Sequence, residues 1–281
     1  MSIIITAIDG YKLSALYSTP VAENIGTIVL SSATGVKKEF YRHFKEYLVR
    51  NGYNVLLYDY RGIGGSAPND LRGSFAYMHE WGTMDMNAAL NYLVEEKGLT
   101  NIIWFGHSLG AQLIGFLEKQ QHIKKVISLN AAVGYWGLFP FPMNITVCFL
   151  WYVIYPVMIK FYGYGAMSKI GWGENLPKNV LGEWREWCLN KDYFKKTLQQ
   201  KLNTDKFYLF TTPITALYIS DDYIANDKTV PPMQQFFPNA PYEIIKIKVK
   251  KYTSYKVGHT GIFRKKFENT LWPLLVDIVE K

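Results

Sequence analysis

The hydrophobic positions of the chain follow two alternating patterns, short apolar runs and longer segments with a helical period. Eight runs have the length and composition of strands, and they cover residues 3–7, 13–17, 26–30, 54–58, 101–105, 126–129, 214–219 and 244–249. Helical periodicity is found over residues 39–50, 83–96, 111–117 and 269–279, and a further helix is expected after Asn226. Strands that alternate with helices predict an α/β protein whose mostly parallel sheet is covered on both faces.

The segment 133–206 breaks this alternation. It is rich in aromatic residues, among them Tyr135, Trp136, Trp151 and Trp187, and it is predicted to be a cap inserted into a core of residues 1–132 and 207–281. Within it, residues 143–159 carry no charged side chain. This pattern is compatible with a packed lid helix, a helix at a membrane interface or a short transmembrane span. Because the segment is short for a transmembrane span, the lid is favoured.

Composition and charge narrow the class of protein. A chain of 281 residues with 49% hydrophobic content suits one large domain, or a domain with an insertion. The net charge of +8 comes without a nucleic-acid-binding motif, so we expect no nucleic-acid partner, while contact with anionic lipid stays open. Cys148 and Cys188 form no CxxC pair, so neither a metal site nor a disulfide is expected. The first residues lack the features of a secretory signal, which predicts a cytoplasmic location, with or without membrane association.

A nucleophile elbow is predicted at Gly106-His107-Ser108-Leu109-Gly110. The pattern G-x-S-x-G lies between a predicted strand and a predicted helix, which is the order that this motif requires. The turn is so sharp that the residues two positions before and after the serine must be small. The following helix is expected to direct its N–H groups and its amino-end dipole at the reacting centre.

A serine nucleophile needs a base and a group that orients the base. In this architecture the chain order is serine, then acid, then histidine. Of the five histidines, only His259 comes late enough, in a glycine-containing loop before the last helix, whereas His107 is expected to face away from the site. The acid should follow the strand 214–219, where Asp221 and Asp222 are both candidates.

Two backbone N–H groups are needed to stabilise the oxyanion of an acyl-transfer reaction. One should belong to Leu109, the residue after the nucleophile. The other should come from the loop after the strand 26–30, at Thr34 or Ala33.

The chain resembles the alpha/beta hydrolases over almost its whole length. The resemblance rests on Asp59-x-Arg61-Gly62-x-Gly64-x-Ser66, Gly106-x-Ser108-x-Gly110, Asp222-x-Ile224 and Gly258-His259. It is similar in particular to bacterial hydrolases with an aromatic cap, through Ala33–Val36, Phe40–Arg42 and Gly134–Trp136. The resemblance implies an eight-stranded sheet, a cap after strand six, Asp222 as the triad acid and a turn-shaping role for Asp59 and Arg61. The usual His-Gly of the oxyanion loop is replaced here by Ser32-Ala33-Thr34-Gly35.

These features predict a serine hydrolase that cleaves a carboxylic ester or thioester through an acyl-Ser108 intermediate, with neither a metal nor an organic cofactor. The aromatic insertion favours an apolar acyl or aromatic group in the substrate, although the same side chains could simply pack the cap. Two alternatives remain at this stage. One is an aminopeptidase, in which Glu174, Glu183 or Glu186 would bind a substrate ammonium, and the other is a non-catalytic binding protein on the same scaffold. The sequence leaves the oligomeric state open.

Overall fold

A single eight-stranded sheet organises the molecule, which a computed structural model describes over residues 1–281. The strand order is β1-β2-β4-β3-β5-β6-β7-β8; β2 is antiparallel to both of its neighbours, β1 and β4, and all other neighbouring strands are parallel. The strands are β1 (Ser2–Thr6), β2 (Lys12–Ser18), β3 (Gly26–Ser31), β4 (Tyr53–Tyr58), β5 (Ile102–His107), β6 (Ile123–Leu129), β7 (Ile214–Ile219) and β8 (Tyr242–Ile247). The predicted mostly parallel, eight-stranded α/β sheet is confirmed.

Six helices flank the sheet or lie in the connection between β6 and β7. They are α1 (Arg42–Arg50), α2 (residues 78–96), α3 (Leu109–Gln112), α4 (Met143–Tyr162), α5 (Lys178–Leu189) and α6 (Leu271–Glu280). Helix α2 begins five residues before its predicted start and includes wider π-type turns. The segment after Asn226 forms only a 3-10 turn, Pro231–Phe236, instead of the expected helix.

The two faces of the sheet carry separate hydrophobic cores, and β5 shows why. Successive side chains of a strand point to opposite faces, and Trp104 accordingly packs in one core while Ile103 and Phe105 pack in the other. All six residues of β5 are buried. Its first four residues, Ile102–Phe105, therefore form a continuous apolar run, as is typical of central parallel strands.

Between β4 and α2, the buried charges of the turn are paired. Asp59 accepts hydrogen bonds from the backbone and the ammonium of Lys38, at 2.7 and 2.6 Å. Arg61 is bound by Asp85 and Asp9. Because buried ions are tolerated only when they are paired and hydrogen-bonded, these residues hold the turn, as the resemblance implied.

The connection between β6 and β7 contains helices α4 and α5 and lies over the carboxyl ends of the strands. Its backbone contacts the core where Glu174 N–H donates to the Gly35 carbonyl at 2.8 Å. A buried ionic contact adds to this, because Glu183 of α5 accepts hydrogen bonds from His79 of α2 at 2.9 Å and from Lys201 at 2.6 Å. The predicted cap limits, 133–206, fall inside this connection.

The direction in which strands are added to the sheet reverses at β3. The strand that follows it in the chain, β4, lies on one side of β3, and the next strand, β5, lies on the other. In open α/β sheets, ligands bind in the crevice outside the carboxyl ends of the strands at such a point. The residues after β3 and after β5 therefore meet where a site is expected.

Candidate active site

Ser108 occupies a strained turn between β5 and α3. Its φ of +51° and ψ of −115° lie in a region that residues other than glycine rarely adopt. The small neighbours are required by close backbone contacts. A Cβ atom at Gly110 would lie 2.2 Å from the Ser31 carbonyl oxygen, and one at Gly106 would lie 2.4 Å from the Gly110 carbonyl oxygen.

The helix that follows the elbow is much shorter than predicted. Helix α3 ends at Gln112, and only a 3-10 turn, Ile114–Phe116, follows it. The side-chain amide of Asn87 donates to the Phe116 carbonyl at 2.9 Å, and Glu118 N–H donates back to that side chain. These contacts bind backbone groups beyond the end of α3, and the amino-end dipole expected at Ser108 comes from a single helical turn.

Ser108, His259 and Asp222 form one hydrogen-bonded line. The Nε2 of His259 is 3.0 Å from the Ser108 Oγ, and its Nδ1 is 2.7 Å from the Asp222 Oδ2. The other oxygen of Asp222 accepts the Ile224 N–H at 2.8 Å, which fixes the carboxylate. Because a carboxylate accepts the Nδ1 hydrogen, Nε2 of the neutral ring is free to accept the serine proton.

Asp221, the alternative acid, binds backbone and does not contact His259. Its two carboxylate oxygens accept the N–H groups of Val257 and Gly258, both at 2.9 Å. The two neighbouring aspartates thus have different positions. Asp222 contacts the imidazole, whereas Asp221 holds the loop that carries it.

The three candidate donors to an oxyanion differ in whether their backbone N–H groups already have a hydrogen-bond acceptor. Leu109 is the first residue of α3, so its N–H has no intrahelical acceptor. Thr34 lies at the second position of a turn in which Val36 N–H donates to the Ala33 carbonyl, and it lines the same cavity as Ser108. Ala33 is excluded as the second donor, because its own N–H already donates to the Tyr41 hydroxyl at 3.0 Å.

A buried chain of hydrogen bonds, not expected from the sequence, links the oxyanion loop to the histidine loop. His107 Nε2 lies 3.0 Å from the carbonyl oxygen of His259, which can only accept. His107 Nδ1 must therefore accept from the Tyr41 hydroxyl, at 2.7 Å, and that hydroxyl accepts from Ala33. Asn130 donates to the same His259 carbonyl at 2.8 Å. The only sequence signal for Tyr41 was its place in the Phe40–Arg42 motif, which suggested no role.

We predict an acid sensitivity of folding that originates at His107. Burial lowers the pKa of His107 from 6.5 to about 3, so between these values the unfolded chain binds a proton that the folded protein does not. Stability should therefore fall as the pH drops below about 6.5, by about 1.4 kcal/mol per pH unit from this residue. Urea unfolding from pH 7 to pH 4 measures it, with His107→Gln as the reference that cannot titrate. Equal pH slopes for the two proteins would contradict the prediction.

Ser108 and His259 lie at the wall of a cavity of about 630 Å³ that reaches from the sheet into the cap. The core contributes Thr34 and Gln112. The cap contributes mainly apolar side chains, which are Phe139, Met143, Val147, Trp151, Trp184, Cys188 and Tyr193. Both ends of the Gln112 side-chain amide are paired, since it accepts from the Tyr193 hydroxyl at 2.9 Å and donates to a backbone carbonyl at 3.0 Å.

The three glutamates considered for an aminopeptidase lie in different places. Glu183 is buried in its contact with His79 and Lys201. Glu186 does not line the cavity, and Glu174 lies at its rim in an ion pair with Lys37 at 3.2 Å. The cavity thus offers no unpaired carboxylate from this set for a substrate ammonium.

Comparison with known proteins agrees with this architecture. Residues 28–148 match the family model of the alpha/beta hydrolase fold, whereas a search of curated proteins by sequence finds no match. Among solved structures, an esterase from Exiguobacterium antarcticum is similar at 18% identity and a TM-score of 0.59, with all of both chains covered. A bromoperoxidase from Bacillus anthracis is similar at 17% identity and a TM-score of 0.60, again over all of both chains. An esterase from Pyrococcus furiosus is similar at 16% identity and a TM-score of 0.58, over 100% of this chain and 89% of that one. The matching segment, the strand order and these likenesses show that the chain has the alpha/beta-hydrolase fold.

Proposed function

We propose that the protein is a serine hydrolase that cleaves a carboxylic ester or thioester bearing an apolar acyl or aromatic group. The observation that carries this proposal is the hydrogen-bonded line of Ser108, His259 and Asp222 at the wall of an apolar cavity. Two of the structurally similar proteins are named as esterases. Hydrolysis of aryl esters by the purified protein tests the proposal.

In the first half of the reaction, the Ser108 Oγ attacks the acyl carbon and His259 Nε2 takes its proton. The carbonyl π electrons move to the oxygen, and the resulting oxyanion accepts hydrogen bonds from the N–H groups of Leu109 and Thr34. When the tetrahedral intermediate collapses, His259 gives the proton to the departing alcohol or thiol. Asp222 stabilises the imidazolium between these two steps and remains ionised itself.

In the second half, a water molecule replaces the leaving group. His259 Nε2 accepts a proton from the water as its oxygen attacks the acyl-Ser108 carbon, and the same donors bind the second oxyanion. Collapse releases the carboxylic acid, and the proton returns to the serine oxygen. His259 is well placed for both exchanges because its carbonyl is held by His107 and Asn130.

The apolar lining of the cavity favours a substrate with an apolar acyl chain or an aromatic group. Its cap wall consists of side chains such as Met143, Val147 and Trp151, which offer dispersion contacts and exclude water. Part of the wall is more polar, since the partly exposed side chains of Lys37 and Glu174 form an ion pair there. A substrate would thus place its apolar part under the cap and its carbonyl at Ser108.

We predict that filling the cap wall shortens the preferred acyl chain. Val147→Trp adds bulk from the inner face of α4 into the cavity, so kcat/KM for p-nitrophenyl esters of eight carbons should fall at least about 10-fold relative to acetate. Ile145→Trp is the matched control, because Ile145 lies on the outer face of the same helix and is 58% exposed. A chain-length profile that is unchanged by Val147→Trp, or changed equally by both variants, would contradict the placement of the acyl group.

A further inference from the structure

The outer face of the cap helix α4 is a continuous apolar surface in contact with solvent. Its exposed side chains recur at helical spacing, and they are Ile145, Phe149, Tyr152, Val153, Val157 and Phe161. Phe141, just before the helix, is 78% exposed. Exposed apolar side chains on a soluble monomer are normally scattered, whereas a contiguous patch of large ones marks an interaction surface.

The inner face of the same helix is part of the folded protein. Val147, Leu150, Trp151 and Met158 are buried in the core that joins the cap to the sheet. By length and composition alone, helix α4 could cross a membrane. Most of its apolar stretch is not buried, since the protein covers only 22% of it. A helix that spanned the bilayer would have to remove these side chains from the core and open the cavity wall.

The segment that carries this surface has only positive charges of its own. Residues 131–173 contain no aspartate or glutamate, and their only charged side chains are Lys160 and Lys169. Both ammonium groups lie beside aromatic rings of the helix, Lys160 at 5.8 Å from the Phe161 ring centre and Lys169 at 5.2 Å from that of Tyr162. Arg185 lies over the ring of Tyr152 at 5.6 Å and donates to the Trp151 carbonyl at 2.8 Å.

An apolar helical face with basic and aromatic residues at its edge has the character of an interfacial helix. Such a helix lies in the plane of the bilayer surface, with its apolar side chains below the headgroups and its cations among anionic lipids. Tyrosine rings favour the same depth because one end is apolar and the other is hydrated. We infer that the outer face of α4 docks the protein on the surface of an anionic phospholipid bilayer, with the helix parallel to the membrane plane.

This arrangement would place the membrane on one side of α4 and the cavity on the other. The side chains of Val147 and Trp151 line the cavity, whereas Phe149 and Val153 face outward. The docking itself does not depend on catalysis. Binding can therefore be measured separately from hydrolysis, and failure of one proposal is distinguishable from failure of the other.

Flotation of the full-length protein with vesicles tests the inference. We expect binding to vesicles of phosphatidylcholine with 30% phosphatidylserine to exceed binding to pure phosphatidylcholine by at least about 10-fold, and to weaken in 0.5 M NaCl. The double variant Phe149→Ser/Val157→Ser should lose at least about 10-fold in binding, because it removes apolar area from the buried face. Lys160→Gln/Lys169→Gln should reduce the preference for the anionic lipid by about fivefold per lysine.

Leu209→Ser is the matched control, since Leu209 is 54% exposed and lies outside the cap helix. It should bind vesicles as the wild type does, and all variants should keep wild-type turnover of a soluble acetate ester. Absence of vesicle binding by the wild type would overturn the inference. So would a concentration-dependent dimer that Phe149→Ser/Val157→Ser abolishes, since a second copy would then cover the face. Retention of the wild type in vesicles after an alkaline carbonate wash would indicate a spanning helix and would overturn the in-plane geometry.

Discussion

Ser108→Ala should lower kcat/KM for a p-nitrophenyl ester by at least about 10,000-fold and abolish labelling by a fluorophosphonate probe. The reason is the loss of the only hydroxyl within hydrogen-bond reach of the His259 Nε2, at 3.0 Å. Side chains of a triad act as a unit, so removal of the nucleophile alone costs nearly the full covalent contribution. Steady-state kinetics and intact-protein mass spectrometry after probe treatment measure the two effects.

The appropriate control for Ser108→Ala is Ser32→Ala. Ser32 is buried near the site, and its hydroxyl has no hydrogen-bond partner, so its removal should leave activity within about threefold and stability unchanged or slightly higher. Ser108→Ala should itself fold normally, because alanine keeps the Cβ atom and the backbone strain at φ +51° is the same. Full turnover by Ser108→Ala would show that Ser108 is not the nucleophile. Loss of labelling in Ser32→Ala, with labelling retained in Ser108→Ala, would assign the nucleophile to Ser32.

Asp222→Asn and Asp221→Asn should have very different effects on turnover, which would distinguish the roles of these two adjacent carboxylates. In Asp222→Asn the amide can donate to His259 Nδ1 and so stabilise the wrong tautomer, and kcat should fall by about 10,000-fold, which is the loss that this change causes in a Ser-His-Asp protease. In Asp221→Asn one oxygen can still accept from Val257 or Gly258. That variant should lose about 1 kcal/mol of stability and less than about 10-fold in kcat.

The measurement for this pair is kcat in parallel with the urea midpoint of each variant. A large loss of kcat in Asp221→Asn, with little change in Asp222→Asn, would show that the acid had been assigned to the wrong neighbour. A similar loss in both would mean that the position of the loop matters as much as the charge on the imidazole.

Much of the fold could be predicted because it depends on local patterns. Residues Ile102–Phe105 of β5 are apolar since both faces of the strand are covered, and the Gly106-x-Ser108-x-Gly110 pattern that follows directly is a local signal of an elbow. The chain order of Ser108, the aspartates and His259 was also visible. The sequence could not decide between Asp221 and Asp222 by position alone, because both follow β7 and only the path of the loop determines which carboxylate meets the imidazole.

What could not be predicted depends on contacts between residues far apart in the chain. The chain beyond the short helix α3 is bound by Asn87, which donates to the Phe116 carbonyl across the fold. The loss of Ala33 as an oxyanion donor follows from a hydroxyl eight residues later, and the carbonyl of His259 is held by His107 and by Asn130. None of these bonds follows a spacing rule, since tertiary packing alone brings the partners together.

The chain of hydrogen bonds from Ala33 through Tyr41 and His107 to the His259 carbonyl has a consequence for how the site tolerates change. Tyr41 and His107, the two inner members, each have one partner on either side, so a shift at one end of the chain alters the best geometry at the other. Substitutions in the oxyanion loop and in the histidine loop will therefore not have independent energetic effects, although the two loops lie far apart in sequence. Sequence variation in one loop is constrained by the residues present in the other.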